Sequence, residues 1–298
     1  SKQSKFSEAE QYARQNLAWL ADYPRAEDRS RIILSINFTI NLLEQGKTQE
    51  ALEILEDLLV DIASKYGKET FLYLNTLVNY AAALRDAGDS SRALAAEEKA
   101  LALSFMVEGD KADISIVLGT NIANSKVELG LFEEAEQIIR DTWKLAQKEL
   151  GPDHQRTLTL EYNLAELLNK DGRPKAALQW AQKTLEKSSS ALGEYHLVTL
   201  MTKDNIAVSY RLLGQNKDAL AIYDDLLASL IKIIPGNSPP ALLVQSHYIE
   251  ALLKAGKTNA ALKQLKSRLK TLQQNNAADQ PEIILTELQI QRLEPMKH

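Results

Sequence analysis

GPDHQRTLTLEYNLAELLNKDGRPKAALQWAQKTLEKSSSALG, residues 151–193, is the unit of which nearly every other segment of this 298-residue chain is a variant. Gly172 sits in its turn, KDGRPKAAL. The same turn recurs at Gly46 (EQGKTQEAL), Gly88 (DAGDSSRAL), Gly130 (ELGLFEEAE), Gly214 (LLGQNKDAL) and Gly256 (KAGKTNAAL), always 42 residues apart. A second series, Gly67, Gly109, Gly151 and Gly193, falls 21 residues after those turns, and Gly236 continues it one place late. Self-similarity at a fixed period marks a repeat array, and two glycine turns per period mean two elements per repeat. Each half has room for one helix of roughly 16 residues, about 24 Å long.

Both halves read as helix, because apolar residues recur three and four apart and neither half alternates strictly as a strand does. In the first half Leu158, Leu164, Ala165 and Leu168 share a face, and in the second Ala177, Leu178, Ala181 and Leu185 do. These are termed helix A and helix B. Glycine suits the turns because a residue ending a helix commonly needs a positive φ, which costs glycine no Cβ clash. Alanine stands five residues after each glycine of the first series (Ala51, Ala93, Ala135, Ala177, Ala219, Ala261), small enough to let helix B approach its partner closely.

The alanine pair Ala81 and Ala93 repeats as Ala123 and Ala135, Ala165 and Ala177, and Ala207 and Ala219. This resembles the small-residue spacing of the tetratricopeptide repeat. Tyr210 and Tyr223 stand where that pattern takes aromatics. A 42-residue period exceeds the usual 34 and falls in the range of HEAT and armadillo units. The linkers LGPDHQRTL (150–158) and LGEYHLVTL (192–200) nevertheless resemble those of the kinesin light chain type of tetratricopeptide repeat. The resemblance covers almost the whole chain and implies an all-α fold: a right-handed superhelical solenoid of antiparallel helix pairs. It implies a surface for binding other proteins, and no cofactor.

The composition is that of a globular protein, 45% apolar and 25% charged, with a net charge of −5. A solenoid grows by nearest-neighbour stacking, so this length needs no second domain. The absence of cysteine rules out disulfides, cysteine-ligated zinc and thiol nucleophiles. It leaves the compartment open, with the cytoplasm favoured unless the chain is a piece of a membrane protein. Mild acidity without a Lys/Arg block argues against nucleic-acid or anionic-membrane partners. No transmembrane run or signal peptide is legible in these residues.

One solenoid over 1–298 is therefore expected. Residues 1–24 match helix B when placed 42 residues before the first turn, with Ser4 at the glycine position, Phe6 two beyond it, Ala9 on the alanine column and Leu17 on a leucine column. They serve either as an N-terminal cap or as half of a repeat whose helix A is missing. Six repeats follow at 30–67, 70–109, 112–151, 155–193, 197–236 and 239–275. Their helices A are expected near 30–45, 70–87, 112–129, 155–171, 197–213 and 239–255. Ser238 before Pro239 reads as an N-cap. Asp279 with Glu282 reads as a capping box opening a last helix over 280–294, which stops at Pro295 and caps the C-terminal end. The third repeat departs most: Gly119 lies inside its helix A, where glycine costs about 1 kcal/mol relative to alanine, and Lys126 and Glu136 replace mostly apolar residues. Gly119 is either a soft joint or harmless drift.

A column of polar residues carries the functional signal. Nine residues before each first-series glycine stand Asn37, Asn79, Asn121, Asn163, Asn205 and, in the last copy, His247. Asparagine is a mediocre helix former, so its recurrence at one register needs a reason. The position lies about 160° round the helix from the small residue two places on, so the amides point away from the repeat's own core. In the tetratricopeptide arrays this chain resembles, that face lines a concave groove whose asparagines bond the backbone of an extended segment. An amide offers both donors and an acceptor to a peptide unit. The alternative is that these amides bond neighbouring helices and set the superhelical pitch.

Neighbouring columns narrow the ligand. Four residues earlier come Ile33, Asn75, Val117, Thr159, Met201 and Leu243; three later come Ile40, Ala82, Asn124, Glu166, Val208 and Glu250. These columns supply none of the cations with which chaperone-binding relatives grip a terminal carboxylate; Arg85, Lys170, Arg211 and Lys254 lie farther along. An acidic C-terminal tail is therefore not expected, and an extended apolar segment is, with basic residues opposite Glu166, Asp204 and Glu250. No catalysis is expected: His154 and His196 share one linker register, and no phosphate loop, HExxH or GxSxG occurs. The functional classes are a peptide-binding adaptor, a sensory or regulatory arm of a larger protein such as a kinase or transcription regulator, and an end-to-end self-assembly module acting through the incomplete N-terminal repeat.

Overall fold

The computed structural model describes residue 15 and residues 28–108, 112–273 and 281–294. Among the described residues there are thirteen long helices and no strand. They are α1 (Asp28–Glu44), α2 (Thr48–Tyr66), α3 (Phe71–Asp86), α4 (Ser90–Glu108), α5 (Ala112–Glu128), α6 (Phe132–Glu149), α7 (Gln155–Lys170), α8 (Pro174–Ala191), α9 (Leu197–Leu212), α10 (Asn216–Ile233), α11 (Pro239–Lys254), α12 (Thr258–Gln273) and α13 (Pro281–Leu293). Odd-numbered helices occupy the helix A slots and even-numbered ones the helix B slots. The expectations resting on Ser4, Phe6, Ala9, Leu17, Gly109, Asp279 and Pro295 lie outside the described residues.

By internal contacts the chain divides between Leu145 and Ala146, within α6. In the first unit α1 to α5 pack each on the next, and α1 also touches α3. Its core gathers Ile32, Ile36, Ile62, Leu74, Leu77, Ala81 and Ala100. In the second unit α7 to α13 pack in sequence, and the helices A touch directly, α7 on α9 and α9 on α11. Its core is built on Leu200, Ala207, Tyr223, Leu226, Leu230, Val244 and Leu265. The helix B alanines Ala51, Ala93, Ala135, Ala177, Ala219 and Ala261 are all fully buried, as are Ala81, Ala123, Ala165 and Ala207 on helix A. The second unit also holds an aromatic pair, the buried Tyr223 stacked on the half-buried Tyr248 with ring centroids 5.4 Å apart.

The turns follow from backbone chemistry. At Gly172 (φ 73°) the N–H of Arg173 bonds the Leu168 carbonyl and the N–H of Gly172 bonds that of Asn169. These are the two bonds of a Schellman ending, which needs a left-handed residue at its C′ position. Gly236, the late member of the second series, does not adopt a positive φ. There α10 ends on Ile234 with φ −130° and ψ 157°, because Pro235 follows and its ring disfavours a helical residue before it. Ser238 occupies the expected N-cap position of α11, yet its side chain makes no cap bond and instead donates to the Pro235 carbonyl at 2.6 Å. Pro239 and Pro240 at the first two helical positions have no N–H to offer it.

The irregular third repeat has a packing cause. A Cβ on Gly119 would overlap Thr142 Oγ1 of α6. Glycine here leaves room for the Thr142 side chain of the facing helix, a packing reason for its presence. Lys126, the charged intruder of α5, is 8% exposed and donates to Glu134 at 2.6 Å. Glu136 is paired with Arg140 at 2.6 Å.

Candidate functional site

The asparagine register falls on the helices A, but its six members meet different surroundings. In the first unit Asn37 is exposed, and Asn79 and Asn121 are half-buried. Asn79 donates its amide to the Asn75 carbonyl of its own helix at 2.8 Å. The amides of Asn37 and Asn121 bond no other described side chain or carbonyl. Beside Asn37, Ile33 and Ile40 are 50% and 41% exposed, an apolar flank on the same helix. Asn124, one turn beyond Asn121, is half-buried.

In the second unit the column turns inward. Asn163 and Asn205 are buried, and Asn205 donates its amide to the Tyr162 carbonyl of α7 at 3.1 Å. Asn169 returns the bond, donating to the Asn205 carbonyl at 3.1 Å, and Ser209 donates to Asn169 Oδ1 at 2.9 Å. Direct contact between helices A makes this possible. The Asn205 amide and the His247 ring, which helical geometry turns away from their own repeat's core, are met by the preceding repeat's helix A. Asn169 does not recur at 42-residue intervals, so a search by register passes over it.

His247 takes the last place in the column and bonds Asp204 Oδ2 at 2.8 Å, joining α11 to α9. Burial by itself lowers the His247 pKa, but the charge of Asp204, its hydrogen bond and the nearby Glu250 outweigh burial and Arg211, so the net shift is upward. Tyr223 is fully buried beside this pair; burial pushes its phenol far up, and Asp204 adds to the effect. The acidic groups expected to face a basic ligand are already met from within the chain: Glu166 by Lys170 at 2.8 Å, Glu250 by Arg211 at 3.1 Å and Asp204 by His247.

Three of the four cations near this face, Arg85, Lys170 and Arg211, are paired within the chain, and Lys254 is exposed. Arg85 bonds Glu97 at 2.7 Å, a carboxylate 1% exposed that also accepts from Ser125 at 2.8 Å. Burial holds the Glu97 pKa up against both partners. The pair ties α3, α4 and α5 together rather than facing a ligand. His154 and His196 are N-caps: each Nδ1 accepts from a backbone N–H, of Arg156 and Val198 respectively, at 3.2 Å. Among the described residues no group of three or more His, Asp or Glu side chains is placed to hold a metal ion. No described helix is long and apolar enough to cross a membrane.

Two overlapping matches to the tetratricopeptide repeat family model cover residues 113–187 and 156–232. No curated protein matches the chain significantly. Several solved structures share the fold. A Podosopora anserina kinesin light chain of nearly identical tetratricopeptide-like repeats aligns over 70% of this chain and 98% of its own, with a TM-score of 0.57 and 20% identity. A Rap protein complexed with Competence and Sporulation Factor aligns over 97% of this chain and 83% of its own, with a TM-score of 0.68 and 14% identity. The apo quorum sensor NprR from B. thuringiensis aligns over 96% and 77%, with a TM-score of 0.64 and 13% identity.

Proposed function

We propose, from the match of residues 113–232 to the tetratricopeptide repeat family model, that this chain is a tetratricopeptide-repeat scaffold for protein–protein interaction and that it binds an extended peptide segment of a partner protein across the asparagine-bearing faces of its helices A, without catalysing a reaction. The observation that carries this is the state of the column in the first unit. Asn37 and Asn121 hold unspent amides at the repeat's own register, with Asn79 between them in sequence. Such amides match the alternating donor and acceptor of an extended backbone. The exposed Ile33 and Ile40 beside Asn37 give apolar side chains of the segment a surface.

The second unit plays a different part. Asn205, Asn169 and the His247–Asp204 pair fix helix A against helix A, and so hold the face on which Asn163, Glu166 and Glu250 lie. Because Glu166, Asp204 and Glu250 are already paired, the segment is neutral and apolar rather than basic. Because Arg85, Lys170 and Arg211 are also paired, leaving Lys254 as the one open cation of the four, an acidic tail fits less well. The Rap protein that shares the fold was crystallised with Competence and Sporulation Factor, which is in keeping with a bound partner.

The test is capture from a lysate of the source cell by the wild type and by an Asn37→Ala, Asn79→Ala, Asn121→Ala variant shown by circular dichroism to be folded. A partner held by the wild type and released by the variant supports the proposal. Equal capture by both removes the asparagine face as the binding surface.

A further inference from the structure

A second surface lies in the second unit on the other side of α9. Lys203 and Tyr210 stand roughly 160° and 140° round that helix from Asn205, and they line a groove of about 560 Å³ between α8, α9 and α10. Its floor is Leu200, Ile206 and Leu226, all buried, and its flanks are the half-buried Leu185, Tyr210 and Ile222. The volume is in the range of binding clefts. The α10 wall from Asp218 to Ser229 is about 16 Å long at the helical rise, room for roughly three turns of a second helix.

The unpaired charges lining this groove have one sign. Lys203, its only lining cation, is paired with Glu194 at 2.7 Å. Asp218 and Asp225 are exposed on the α10 wall, and neither carboxylate has a cationic partner among the described residues. Asp218 lies in the first turn of α10, where the helix terminus stabilises an anion. Asp225, two turns on, has no such support. The neighbouring Asp224 differs, accepting from the Tyr248 hydroxyl at 2.7 Å. The two open carboxylates are seven residues apart, about 10.5 Å along one face of the helix.

We propose that this groove is a docking surface for a basic amphipathic helix of a partner protein. The helix sets an apolar stripe on Leu185, Tyr210 and Ile222, with Lys or Arg seven residues apart against Asp218 and Asp225. Helix-in-groove recognition anchors apolar residues three and four apart, and rim charges of opposite sign fix the register and speed the encounter. The surface is separate from the asparagine face and does not depend on it.

The experiment is a selection of 15-residue peptides from a random display library, with the Asn37→Ala, Asn79→Ala, Asn121→Ala protein as bait so that the asparagine face is already disabled. The expected result is enrichment of peptides with apolar residues at helical spacing and cations seven apart. Their affinity should fall at least tenfold on an Asp218→Lys, Asp225→Lys variant and on Ile222→Glu, both checked by circular dichroism. The charge variant alters only exposed positions, so it reports on docking even where Ile222→Glu perturbs the fold. Failure to enrich any peptide, enrichment of peptides without cations, or affinity unchanged by the charge variant overturns the proposal. Failure of the asparagine reading leaves this experiment unaffected.

Discussion

Gly119 shows how one residue can carry opposite meanings at two levels of description. Helix propensity alone says that Gly119→Ala gains about 1 kcal/mol. The position of Thr142 says the reverse, because the added methyl meets its Oγ1 in a packed interface, and overpacking of this kind costs about 1–3 kcal/mol. The expected outcome is a lower urea midpoint for Gly119→Ala, largely restored by adding Thr142→Ala. A raised midpoint in the single variant would leave drift as the account of this glycine. His247 gives a second residue-scale prediction. Its pKa is higher in the folded chain than in the unfolded one, so the charged pair with Asp204 adds stability that is fully present below the unfolded value of about 6.5. That contribution disappears as pH rises through the higher folded value. The stability lost in His247→Gln should thus be on the order of 1–2 kcal/mol at pH 5.5 and smaller at pH 9. A gap that widens with pH would contradict the assignment.

Between elements, the caps and the inter-helix bonds differ in how far they can be read. The α7 and α9 caps are local: His154 and His196 each bond a backbone N–H two residues on, so their shared register already carries the cause. The last helix is held otherwise. Arg268 of α12 is 7% exposed and donates to the Leu242 carbonyl at 3.2 Å, to Ser246 Oγ at 2.6 Å and to Glu282 of α13. One guanidinium thereby joins three helices, and its planar fork suits several acceptors at once. Arg268→Leu keeps the apolar stem and removes the donors. Amide hydrogen exchange over 281–293 should accelerate by tenfold or more while α7 and α8 stay protected. Unchanged exchange in α13 would show that apolar contacts alone hold it.

A solenoid of stacked helix pairs has no single centre, and each pair draws its stability from its own hydrogen bonds and the neighbours it touches. Tyr223→Ala tests this for the whole molecule. The side chain is fully buried in the second unit's core, and removing a buried aromatic costs about 3–5 kcal/mol. Exchange protection should fall in α9, α10 and α11 and persist in α1 to α3. A uniform loss would mean that all the repeats unfold as one cooperative block. Over the described residues the alternation of helices A and B is legible in the sequence, since the glycine and alanine columns report requirements internal to each helix pair: a left-handed backbone at the turn and a small side chain at the crossing. The same periodicity gives every asparagine of the column the same direction on its helix.

What the sequence determined by itself is therefore whatever depends on neighbours within about 20 residues along the chain: helix lengths, turns, the packing stripe and the polar register. What only the tertiary structure decided is what lies opposite each side chain. Asn205 reaches the Tyr162 carbonyl and His247 reaches Asp204, each across a separation of 43 residues, while Asn37 and Asn121 meet no such partner among the described residues. The physical reason is that helical periodicity fixes a direction, whereas a hydrogen bond also requires a distance. That distance is set by how closely one repeat's helix A approaches the next.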